Sequence, residues 1–195
     1  MAGTSERSTQ NIVEVLVAQH HQVDELFSRV LGANDDGRAR MFAQLLHVLA
    51  LHESAEHVVV HPEARKIIDG DEALITALMS EEVAIRDALV ESEHVSVEAH
   101  DFPGRLARIR DMVVKHNRRE ESDEFPLLNQ RLDASERTRL TRGVEELGKL
   151  AASGTEAEFE HAELAAGSPN MMVGPFAAIL DRARRLIAES SEDRP

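Results

Sequence analysis

Residues 51–62 read LHESAEHVVVHP, and residues 115–126 read KHNRREESDEFP. Both contain His-x3-Glu-x5-Pro: His52, Glu56 and Pro62 in the first, His116, Glu120 and Pro126 in the second, each member 64 positions after its counterpart. On a helix, residues four apart are surface neighbours, so each His and Glu points to one spot. The segments that precede them also echo each other, His20-x2-Val23-x2-Leu26 against Glu82-x2-Ile85-x2-Ala88. The chain therefore reads as two related helix pairs, each offering one ionisable group and then a His-x3-Glu.

The surrounding periodicity is helical. Apolar stripes at helical spacing predict helices over about 11–31 (Ile12, Leu16, Val23, Leu26, Val30), 38–61 (Phe42, Leu45, Leu49, Val59, Val60), 72–93 (Ile75, Leu78, Ile85, Leu89) and 105–125 (Leu106, Ile109, Val113). Pro62 and Pro126 are expected to end the second and fourth. The breaks are Gly32 to Gly37, Asp69-Gly70-Asp71, and a connection over 94–104 that includes Phe102-Pro103-Gly104. Long helices with short links predict an all-α, up-and-down antiparallel four-helix bundle over 11–130. Residues 1–10 read as a disordered polar leader. Residues 131–195 read as a C-terminal helical extension, with helices near 134–152 and 175–190 and a connector carrying Met171-Met172.

The gaps in the stripes carry the chemistry. His20 falls between Leu16 and Val23, His52 and Glu56 between Leu49 and Val59, Glu82 between Leu78 and Ile85, and His116 and Glu120 after Val113. Each predicted helix thus directs an ionisable group at the core. Burying such a group unpaired costs several kcal/mol, and a domain's net stability is only roughly 5–15 kcal/mol. No Lys or Arg interrupts the same stripes. Bound cations would satisfy these groups, and histidine with carboxylate suits iron, manganese or zinc. A self-satisfied polar network without metal is the alternative.

Composition excludes other chemistries. There is no cysteine, so thiolate metal sites, disulfides and thiol catalysis are ruled out. There is no Tyr or Trp, so no phenolate ligand or tyrosyl radical is available. The formal net charge of −14 argues against nucleic acid and anionic membranes as partners. A polar N-terminus and the lack of a long apolar run predict a soluble, cytoplasmic protein.

On LVAQHHQVDELF (16–27), LHESAEHVVVHP (51–62) and KHNRREESDEFP (115–126), the chain resembles the hemerythrin-like HHE cation-binding family. The resemblance implies a non-haem di-iron centre with His20, His52, Glu56, His116 and Glu120 as ligands. It also implies irons bridged by Glu56 and Glu120 and by an oxo or hydroxo group, with manganese as the substitute metal. The family usually has a histidine where this chain has Glu82. The internal repeat aligns Glu82 with His20, so Glu82 reads as a substituted ligand.

Around this set, Glu53, His57 and Arg86 are expected as supporting residues, Arg86 as a partner for Glu82. Glu81 and Glu121 are expected on solvated faces. His21, His47, His57, His61, His94, His100 and His161 are expected at the surface. The resemblance implies reaction with O2 or H2O2, catalase-like or oxidase-like. The alternatives are an O2, NO or iron sensor that signals to a protein partner through residues 131–195, or an iron-handling ferroxidase or buffer.

Overall fold

The computed structural model describes residues 11–67, 72–93 and 96–152. The leader, Asp69 to Asp71, His94, His161, Met171-Met172 and the helix expected near 175–190 lie outside the described residues. The described residues form helices and contain no strand. They are α1 (Ile12–Gly32), α2 (Asp35–Ala55), α3 (His61–Ile67), α4 (Glu72–Glu93), α5 (Phe102–Arg119), α6 (Phe125–Arg131) and α7 (Ala134–Ala152). No helix among them is long and apolar enough to cross a membrane.

α2 and α3 form one continuous rod through a π turn at Glu56–Val60, and α5 and α6 form another through a π turn at Glu120–Glu124. With α1 and α4 these make four rods. α1 packs on α2 and α5, α4 packs on α5 and on α3, and the ring of neighbours closes into a four-helix bundle. The prolines do not end their helices. The His61 N–H bonds back to the Glu56 carbonyl and the Phe125 N–H to the Glu120 carbonyl, five residues back in each case. In an unbroken α-helix each proline ring would press on the carbonyl four residues before it. The wider π turn relieves that clash, and the helix runs on to Ile67 or Arg131.

Two starts also differ from expectation. α5 begins at Phe102, because Pro103 is tolerated in a first turn whose N–H groups need no helical partner. α2 begins at Asp35, and the break before it shrinks to Ala33-Asn34. α1 starts where Asn11 and Glu14 form a capping box, with the Asn11 N–H donating to Glu14 Oε2 at 3.2 Å.

The bundle core is divided. One apolar half gathers Val23, Phe27, Leu45, Leu49, Ile85, Leu89, Leu106 and Val113. The other gathers Ile12, Leu16, Val60, Ile75, Leu78, Phe125 and Leu128. Between them, at the same height on all four rods, lies the buried polar layer of His20, His52, Glu56, Glu82, His116 and Glu120.

α7 covers the second half with Leu140 and Val144 and packs on α1, on α2 and on the first π turn. Its approach is close at Gly143, where a Cβ would stand 3.2 Å from a methyl of Val59. A branched side chain there presses on Val59, in the π turn that carries Glu56. Gly143→Leu is therefore expected to destabilise the protein by about 1–3 kcal/mol, read from the urea midpoint. Gly104→Ala, with open space around it, is expected to be neutral or stabilising by up to about 1 kcal/mol.

Candidate metal centre

The two π turns set the register of the site. Glu56 and Glu120 are the first residues of their turns and are fully buried, each one helical turn beyond its histidine. His20 comes from the middle of α1 and Glu82 from the middle of α4. The structure brings all six polar residues together as two overlapping groups. His20, His52, Glu56 and Glu120 form one, and Glu56, Glu82, His116 and Glu120 form the other. Within each group the nearest ligand atoms lie within 4.8 Å of one another. Four donors at about 2.1 Å from a single ion span a comparable distance.

Each histidine is oriented from outside. His20 Nδ1 donates to Glu121 Oε1 at 2.7 Å, His52 Nδ1 to Gln19 Oε1 at 3.1 Å, and His116 Nδ1 to Glu81 Oε2 at 3.3 Å. Arg119 in turn holds Glu81 at 2.8 Å. With Nδ1 committed outward, every Nε2 faces the centre, the arrangement found around metal-ligating histidines.

The central atoms lack hydrogen bonds. His20 Nε2 and His116 Nε2 approach Glu120 at 3.2 Å, and His52 Nε2 approaches Glu56 at 3.3 Å. None of these contacts has hydrogen-bond geometry, and both oxygens of Glu56 and of Glu120 are likewise buried without a hydrogen-bond partner. Each such atom costs roughly 1–3 kcal/mol. Cations at the centre would satisfy all of them, so the residues present fit a pair of metal ions.

Opposite charges and burial also shift the titration of these groups. Burial resists protonation of His20, but Glu120 and Glu56 outweigh it and lift the imidazole to about 10. His116 rises to about 10 in the same way, chiefly through Glu120. His52, fully buried and facing the charge on His20, falls to about 3. Burial and the neighbouring charge of Glu120 push Glu56 up to about 8. Burial opposes ionisation of Glu120, yet His116 and His20 hold its carboxyl well below the usual range.

The outer residues differ in part from expectation. Glu53 is buried, and burial together with Glu82 pushes its carboxyl well above the ordinary value. His57 is half-buried on the flank of the rod. Arg86 does not pair with Glu82. It turns outward, with Asp87 at 3.7 Å, and Glu82 Oε1 is taken by His61 instead. Glu81 and Glu121 are not idle on solvated faces but accept from His116 and His20. Each stands next to a core carboxylate in sequence, at the flank of its stripe, and that adjacency is the signal that could have found them.

His61 is buried rather than at the surface. Its Nε2 donates to Glu82 Oε1 and its Nδ1 lies 3.1 Å from Glu124 Oε1, with Glu124 fully buried too. A regular α-helix would carry His61 away from the ligand face. The π turn adds a residue and rotates it inward.

The profile of the hemerythrin HHE cation-binding domain matches residues 11–128, and the chain belongs to that family. A DNA nickase from Nostoc sp. is 29% identical over 134 residues, which cover 68% of this chain but only 37% of that protein. An uncharacterized hemerythrin-like protein from Schizosaccharomyces pombe is 23% identical over 180 residues, covering 90% of this chain and 86% of its own length. No solved structure gives a significant match.

Metal and protons compete for the same atoms, which sets the sign of the pH dependence. At neutral pH, ferrous iron is expected to displace protons from His20, His116 and Glu56 but none from His52. Apparent affinity should fall about tenfold per unit of acidification for each proton displaced. Anaerobic titration in weak buffer, with the released acid measured directly, checks this. Iron uptake without proton release would contradict it.

Proposed function

We propose that this HHE-domain protein holds two iron ions in the layer between its core halves and reacts them with O2 or H2O2, with peroxide disproportionation as the favoured activity. The observation that carries the reading is the sharing of Glu56 and Glu120 between both ligand groups. Two ions would hold these two carboxylates in common, with His20 and His52 available to one ion and His116 and Glu82 to the other. This set of three histidines and three glutamates is richer in carboxylate than an oxygen carrier would require, and anionic oxygen donors favour the ferric state.

Iron bound there would supply redox equivalents and a Lewis-acid site. The chain's own residues do the rest. His20, His52 and His116 are held in one tautomer by Glu121, Gln19 and Glu81. Glu53, whose carboxyl is pushed well above the ordinary carboxylate range chiefly by burial, lies among Glu82, His116, Glu56 and Glu120. The two packed apolar halves exclude bulk water from either side. Disproportionation of two H2O2 to two H2O and O2 needs no external reductant. That suits a chain with neither cysteine nor tyrosine.

A sensor reading has one observation in its favour, the packing of α7 on the π turn that carries Glu56. A change of metal state that shifts Glu56 would reach α7 directly. DNA as a target is not adopted from the Nostoc relative, because the net charge of −14 opposes phosphate binding.

With no Trp or Tyr, the protein is nearly transparent in the near ultraviolet, so absorption from iron can be read against a clean background. Iron-loaded protein is expected to show new near-ultraviolet bands and to evolve O2 from peroxide, and Glu120→Ala should reduce both to the level of free iron. Stable peroxide over iron-loaded protein that binds O2 or NO reversibly would replace turnover with sensing. Uptake of iron beyond two ions per chain would instead favour storage.

A further inference from the structure

The internal repeat aligns the residue before each proline, His61 with Phe125, just as it aligns Glu82 with His20. The structure makes the two alignments one arrangement. Phe125 follows the second π turn and stacks on His20, with ring centroids 5.5 Å apart and an interplanar angle of 18°. His61 follows the first π turn and reaches Glu82. Where α1 presents an imidazole to the site, the pre-proline residue is a hydrocarbon ring laid against it. Where α4 presents a carboxylate, the pre-proline residue is a hydrogen-bond donor. A phenylalanine at position 61 would leave a Glu82 oxygen buried without a partner.

We propose that His61 is a positioning residue for Glu82, anchored by Glu124 and holding one Glu82 oxygen so that the other faces the ion shared with Glu56, His116 and Glu120. The proposal rests on the two-metal reading above. Glu124 Oε1 receives the second ring N–H at 3.1 Å, which fixes the imidazole plane, and both residues are buried. Nε2 faces a Glu82 oxygen and Nδ1 a Glu124 oxygen, and carboxylate oxygens accept, so both nitrogens donate. A ring that donates from both nitrogens has no lone pair for a metal, so His61 supports the site from outside the ligand set.

Glu82 belongs to one ligand group only, so the effect of His61 must be confined to one ion. The test is equilibrium binding of ferrous iron to the full chain under anaerobic conditions. His61→Phe is expected to weaken the second ion about 10–100-fold and leave the first unchanged. His61→Gln, which retains a donor, should recover part of the loss. In a Glu82→Ala background, His61→Phe should cause no further change, because the residue acts through Glu82. His61→Asn, whose amide is too short to reach Glu82, repeats the test if phenylalanine at this position prevents folding.

Unchanged binding in the His61 variants would overturn the proposal. So would equal weakening of both ions, or a further loss when Glu82 is already absent. A wild-type protein that takes up no iron would remove the two-metal reading itself, and the proposal with it.

Discussion

A layer of ionisable side chains crosses this bundle from rod to rod, and everything else is arranged around keeping it buried. Histidine nitrogens and glutamate oxygens meet at the centre with no hydrogen-bond donor or acceptor suitably placed among them. Apolar packing above and below supplies the stability that such a layer consumes. Phe27, Leu45 and Leu89 lie on one side and Ile12, Ile75 and Phe125 on the other, all almost completely inaccessible to water. Attraction of His20 and His116 to the Glu120 carboxylate relieves part of the electrostatic cost. Multivalent cations would relieve far more, because they are attracted by every inward-facing atom at once.

The backbone contributes as much as the side chains. A π turn begins at each of the two glutamates shared by the ligand groups, and an irregular turn of this kind inside a helix is a frequent mark of a functional site. The extra residue lets a proline follow without ending the rod and turns the residue before it toward the core. One repeat uses that position for Phe125 against His20, the other for His61 against Glu82. Between the two repeats, glutamate in place of histidine at position 82 thus goes with histidine in place of phenylalanine on the neighbouring rod.

Much of this was legible from periodicity. The stripes and their gaps located the four rods and the six inward polar residues, since an apolar helical face interrupted by His20 or Glu82 leaves few interpretations. The duplicated His-x3-Glu-x5-Pro showed the two-fold plan. What escaped depended on the π turns. Helical spacing of 3.6 residues puts His61 on a flank and makes Pro62 a stop, and a one-residue slip in register reverses both conclusions. Glu81 and Glu121 escaped for a different reason. Whether a rim carboxylate faces water or a histidine on the next rod depends on how the rods are rotated, which no single helix's pattern contains.

The central claim is that the polar layer is a shared site for two metal ions, and metal content per chain tests it most directly. The full chain, loaded anaerobically with ferrous iron and freed of excess, is predicted to retain two ions. Glu82→Ala should retain one, and Glu120→Ala, which removes a carboxylate common to both groups, should retain none. Full-length protein that folds with its layer buried and binds no iron would contradict the account, as would a Glu120→Ala variant that still holds two ions.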